Sequence, residues 1–165
     1  VLVCDTTEPV DSTGVHIRAL RNAAALARGT RHGRDDIGYR VDATGFGAYE
    51  LWRDAHDADV ATPERARRHA WELHIAREHA VAYLQELVGL FPAAADVLED
   101  AIAAYRREVE TTQKVQDVCR AAEQAGEYSA EARAKVQELI SASLAAERDA
   151  IASVEAAVAA MAASQ

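Results

Sequence analysis

Arg77, Glu108 and Glu147 are the side chains whose types and positions could do unusual chemistry. Wound at about 100° per residue, the segment around residues 63–90 collects Ala66, Ala70, Leu73, Ala80, Val81, Leu84, Leu87 and Val88 on one stripe. Arg77 falls in the middle of that stripe. Around residues 130–162 the stripe is Val136, Leu139, Ile140, Leu144, Ala150, Ile151, Val154, Val158 and Met161, and Glu147 falls in its middle. Between them lies a stripe of Val97, Leu98, Ala101, Ile102, Tyr105, Val109, Thr112, Val115 and Cys119, with Glu108 along its edge. A lone buried charge costs several kcal/mol or more, so it is paired or changes its protonation. Arg77 and Glu147 are therefore expected to meet inside the molecule, with Glu108 or Glu50 as the second carboxylate. A guanidinium carries five donors in a planar fork and can serve two acids at once. Such a network either fixes how the helices register or lines a polar ligand pocket. If the helical phase is displaced, the same residues reach out to water instead.

Other groups have less support. His69, Glu72 and His79 share one side of their segment, within about 80° on the helical wheel. Dimetal bundles use carboxylates and Glu-x-x-His pairs on facing helices. No forward Glu-x-x-His pair occurs here, and Arg65, Arg68 and Glu86 on the same side suggest a solvated face. A metal-binding bundle is the third functional reading, and no metal ligand or cofactor is assigned. Arg28, Arg31, His32 and Arg34 could hold an anion, but Asp35 and Asp36 follow directly and cancel much of that field. Cys4 and Cys119 lack CxxC spacing and are expected to be reduced thiols in a cytoplasmic protein. There is no Gly-x-Ser-x-Gly elbow and no glycine-rich phosphate loop. No catalytic residue is identified.

The elements that must position these groups are helices. Asp11, Ser12 and Thr13 can cap a helix running to about Arg28, with Gly29 as its stop. Residues 29–44 read as loop, with a short extended piece at Tyr39–Val41. A shorter helix follows Thr44 and Gly45. It carries Phe46, Tyr49 and Trp52 every third residue as one aromatic face. Thr62, Pro63 and Glu64 start a third helix that ends near Gly89 and Pro92. A fourth runs from about Ala93 to Ala125 and stops at Gly126. Ser129 opens a fifth that runs to about Ala162. The expected fold is all-α: a bundle of about five helices, three of them long and antiparallel, joined by short turns. Residues 11–165 would form this bundle domain. Residues 1–10 would add a short N-terminal strand, because Val1-Leu2-Val3 is apolar and β-branched. That strand is expected to end a preceding domain or to pair with another subunit; the alternative is a trimmed terminus.

Composition agrees with closely packed helices. The 165 residues include 38 alanines, only 9 aromatic side chains and 3 prolines. This excludes collagen, low-complexity disorder and a β-sandwich. The net charge of −9 argues against nucleic-acid binding, since phosphate backbones repel an acidic surface. No apolar run reaches the roughly 20 residues of a membrane span. The first residues show neither the basic stretch nor the apolar run of a signal peptide.

Six segments, in order, carry a resemblance: VLVCDTTEPVD, HIRALRNAAALAR, TGFGAYELW, AWELHIAREHAVAYLQEL, VLEDAIAAYRREV and ERDAIASVEAAV. Together they resemble the C-terminal helical region of proteins related to butirosin biosynthesis protein H and the C39-like cysteine peptidases. Gly45, Tyr49 and Trp52 match a Gly-x-x-x-Tyr-x-x-Trp-type segment with shifted spacing at the glycines. The resemblance implies a papain-like half upstream of this chain, holding the catalytic cysteine and histidine. It implies cysteine-dependent acyl transfer or amide cleavage by the complete protein, with this part supporting or covering the active site. Tyr49, Trp52, Arg77 and Glu147 carry over as positions, without added chemistry. Two further readings stand beside it: a self-associating bundle acting as an interaction module, and the metal-binding bundle. The expected partner is accordingly the upstream papain-like domain or a second copy of the chain.

Overall fold

The computed structural model describes residues 12–29, 44–57 and 60–164. Five α-helices make up the described chain: α1 (Ser12–Ala27), α2 (Gly45–Asp57), α3 (Pro63–Leu90), α4 (Ala95–Ala125) and α5 (Ala130–Ala163). The expected N-terminal strand, Cys4 and the extended piece at residues 39–41 lie outside the described residues.

Local sequence explains where the long helices begin and end. The Thr62 hydroxyl accepts from the Arg65 amide at 3.3 Å, Pro63 occupies the first turn and Glu64 faces the positive end of the helix dipole. Ser129 caps α5 in the same way, accepting from the Ala132 amide at 3.2 Å. Between α3 and α4, Pro92–Ala94 forms a single 3-10 turn, so α4 begins two residues later than the sequence suggests. Gly126 ends α4 at φ 68°, a left-handed conformation that costs glycine little.

α3 packs along α4, and α4 along α5. Contacts between α3 and α4 join Arg67 to Glu123, His74 to Thr112 and Arg77 to Glu108. Residue numbers thus rise on one helix as they fall on the other. α1 and α2 both lie on α5 and meet at their ends. The Gly47 amide donates to the Gly29 carbonyl at 3.3 Å. Gly45 has φ 53°, and a Cβ there would sit 2.2 Å from the Ala27 carbonyl oxygen, so only glycine fits this junction. His16 touches Tyr83 and Phe91, Arg28 reaches Glu155, Phe46 meets Arg148, and Trp52 meets His69. Followed from α1 into α2, the partners on α3 and α5 run steadily backward. The two short helices therefore form one broken column beside the three long ones.

Two apolar clusters fill the interior. One contains Ile17, Leu20, Leu84, Leu87, Leu98, Ile102, Ile151 and Met161. The other contains Ala66, Ala70, Val115, Cys119, Val136, Leu139, Ile140 and Leu144, with Tyr49 at its edge. Alanine at Ala66, Ala70, Ala101, Ala104, Ala150 and Ala157 is almost wholly buried, which allows close helix approach with few large side chains. No helix among the described residues is long and apolar enough to cross a membrane.

Candidate functional site

Arg77, Glu108, Glu147 and Tyr49 meet between the two apolar clusters. Each comes from a different helix: Tyr49 from α2, Arg77 from α3, Glu108 from α4 and Glu147 from α5. Glu108 is 0% exposed and Glu147 3%, while the Arg77 side chain retains 19%. Arg77 Nε donates to Glu108 Oε2 at 2.9 Å. Glu147 Oε2 also lies 2.9 Å from that nitrogen, yet it makes no hydrogen bond. The single Nε–H is directed at Glu108, so the Glu147 contact is an ion pair without the bond. An Arg77 terminal nitrogen donates to the Tyr49 hydroxyl at 3.2 Å, and that hydroxyl in turn donates to Glu108 Oε1. The guanidinium also stacks over the Tyr105 ring at 5.2 Å from its centre.

This arrangement differs from the sequence expectation in three ways. The guanidinium does not grip the acids with its fork: Nε faces both of them and the fork turns toward a phenol. Glu108 does not lie on an edge but is fully enclosed, its carboxylate met by Arg77 and by the Tyr49 side chain reaching in from α2. Glu50, the alternative second acid, is not in the cluster. It sits half exposed, 3.4 Å from Arg148. Tyr49 points inward, and its neighbour on the helix is rotated about 100° away.

The electrostatics follow from burial with one cation for two acids. Burial pushes Glu147 up to about 8, with Glu108 adding to the rise and Arg77 opposing it. Burial thus favours the protonated form of Glu147. With Glu147 protonated, the single guanidinium has one fewer acid charge to balance. Burial alone would lower the pKa of Arg77; its acidic and phenolic neighbours outweigh that and raise it. Tyr49 is raised chiefly by burial, and so is Tyr105. Both phenols stay protonated, and Tyr49 acts as a donor to Glu108.

A polar path flanks the cluster. His74, one turn before Arg77, places Nδ1 3.3 Å from the Thr112 hydroxyl and 3.2 Å from the Val109 carbonyl. Thr112 donates to the Glu108 carbonyl at 3.0 Å. Further along the core, the Tyr128 hydroxyl lies 2.9 Å from His56 Nδ1, beside the buried Cys119. Burial pushes the Cys119 thiol up to about 11 despite an opposing hydrogen bond with Tyr128, so it is a poor nucleophile. Sequence reasoning treated Tyr49 and Tyr105 only as packing residues and missed His56, His74 and Tyr128. The available signal was position: His74 lies three residues before Arg77, on the same helical face.

The aromatic face of α2 is split among tasks. Tyr49 enters the network, Phe46 packs under the Arg148 guanidinium, and Trp52 meets the His69 ring edge-on. The histidine stripe of α3 does not converge. His69 lies against Trp52, Glu72 accepts from Arg68 at 3.0 Å, and His79 is exposed. Among the described residues, no three His, Cys, Asp or Glu side chains form a group able to hold a metal ion. Arg28 donates to both carboxylate oxygens of Glu155, from Nε at 2.7 Å and from a terminal nitrogen at 2.6 Å. The other residues of the expected anion loop lie outside the described residues.

Comparison with family models, with curated proteins and with solved structures finds no match to this chain.

Proposed function

We propose that this chain is a non-catalytic helical accessory domain whose buried acid–arginine cluster locks the register of its helices. The observation that carries this reading is the enclosure of the cluster. Its acids face Arg77 and Tyr49 in a nearly dry interior, so the cluster presents neither acid to a substrate. Two surface grooves among the described residues are lined by other side chains, Val81, Ala82 and Val109 in one and Ala24, Arg28 and Val158 in another. The numbers of paired residues on α3 and α4 support an antiparallel, up-down-up arrangement of the long helices.

The larger protein it serves is, in our reading, a cytoplasmic papain-like cysteine acyltransferase or peptidase, as the resemblance implies. The upstream papain-like half would then be its partner, joined through the strand at residues 1–10. The acidic surface argues against a nucleic-acid partner. The test has two parts. Residues 1–165 alone should hydrolyse neither thioesters nor amides, and the reading frame before Val1 should encode a papain-like half. Cysteine-dependent hydrolysis by the isolated chain, abolished by Cys119→Ser, would overturn the proposal. So would an upstream sequence of a different kind.

A second reading, self-association as an interaction module, has its own support. Leu26, Trp71 and Leu90 expose large apolar surface at 72%, 54% and 61%. Light scattering decides it: a strict monomer at high concentration removes this reading.

A further inference from the structure

α2 is held differently from the other helices. It is the shortest at 13 residues and its backbone runs close to α5 alone among the long helices; Phe46, Tyr49 and Trp52 reach the apolar clusters, and polar contacts add to them. Tyr49 donates to Glu108, Glu50 faces Arg148, and His56 meets Tyr128. The Trp52 indole N–H is buried with no acceptor among the described residues, which weakens docking further. Helices α3, α4 and α5, by contrast, hold one another over long apolar stripes.

The acids beneath α2 share a single guanidinium. We propose that Tyr49, Arg77, Glu108 and Glu147 form a one-proton latch: a proton held between the two acids keeps α2 docked, and its loss to water as pH rises releases α2 from the bundle.

The charges around the pair support this direction. Facing it are Arg77 from α3, Glu108 and Tyr105 from α4, and Tyr49 from α2. His74 on α3 reaches the same region through Thr112. α1 sends no charge there: His16 bonds Tyr83, and Arg28 pairs with Glu155. Arg77 is thus the one cation facing two acids in this group. With the proton present, the charges balance. Without it, a surplus carboxylate charge is left in a dry site. Water must then enter, and Tyr49 is the contributor on the shortest helix, which runs close to α5 alone among the long helices. Lifting α2 hydrates both acids without separating α3, α4 and α5.

The test uses hydrogen exchange and Trp52 fluorescence. Trp71 is exposed, so Trp71→Phe leaves Trp52 as the single indole with little structural effect. Raising the pH from 6 to 8 should red-shift Trp52 emission in that background. The shift should vanish when Glu147→Gln is added, because glutamine mimics the protonated acid. In the unmodified chain, corrected amide protection over residues 45–57 should fall by up to about tenfold per pH unit, as loss of one proton requires. Protection over α3, α4 and α5 should hold. The exchange measurement stands even if Glu147→Gln fails to fold. A flat Trp52 signal, a shift that persists in Glu147→Gln, or equal loss of protection in all helices would overturn the latch.

Discussion

The two halves of this bundle solve the same packing problem with different chemistry. Beside α1, Ile17, Leu20, Leu84, Leu87, Leu98 and Ile102 close the core with hydrocarbon alone. Beside α2, the core gains a phenol, a guanidinium and two acids where aliphatic side chains would serve. Apolar contacts are non-directional and tolerate small displacements of one helix along another. A cluster that draws one residue from each of four helices allows a single arrangement, because each displacement strands a buried polar group. The apolar half therefore supplies most of the cohesion, and the polar half supplies the register. The polar half is also the one that can respond to pH.

The largest effect expected is that of Arg77→Ala. It strands two acids in the core and should cost about 3–5 kcal/mol in urea unfolding. The paired change Arg77→Met with Glu108→Gln should recover part of that loss, because it removes the carboxylate the guanidinium serves and keeps an acceptor for Tyr49. A double variant no more stable than the single would break the contrast between the halves, since the two residues would then not act together.

The pH dependence comes next. Glu147 is raised from about 4.5 in the unfolded chain to about 8 in the fold. Between these values the folded state holds a proton that the unfolded state has released. Its stabilising effect is complete below about 4.5 and is lost as pH rises through about 8. Unfolding titrations should show a decline on the order of 2–4 kcal/mol across that window. Glu147→Gln should flatten the decline, whereas Leu87→Ala, in the apolar half, should lower stability equally at every pH.

Tyr49→Phe is expected to be milder. It removes the donor to Glu108 Oε1 and leaves a buried acceptor short of a partner, a loss of about 1–3 kcal/mol. The smallest effect is assigned to Glu50→Gln. Its exposed pair with Arg148 should contribute less than about 1 kcal/mol, and high salt should erase even that difference. If Glu50→Gln matched Tyr49→Phe in cost, the boundary drawn between buried cluster and surface would be misplaced.

Much of this was legible before any coordinates. Thr62-Pro63-Glu64, Gly126 and Ser129 mark helix ends through local backbone chemistry, which acts within one turn whatever the rest of the chain does. The stripes on α3, α4 and α5 follow from helical periodicity, and Arg77 and Glu147 stand out because they interrupt them. Burial of Glu108 was not legible, because a wheel drawn for one helix does not show that Tyr49 reaches across to its carboxylate. Nor was the choice between Glu108 and Glu50, which depends on the rotation of α2 about its own axis.

By itself, then, the amino-acid order determined which segments wind into helices, which faces turn inward and which charges must find partners there. Those properties depend on neighbours within a few positions along the chain. Only the tertiary structure decided that Tyr49 rather than Glu50 enters the cluster, that one nitrogen faces two acids, and that burial raises the pKa of Glu147. Each of these depends on distances between residues some thirty to one hundred positions apart, and on the water that their meeting excludes.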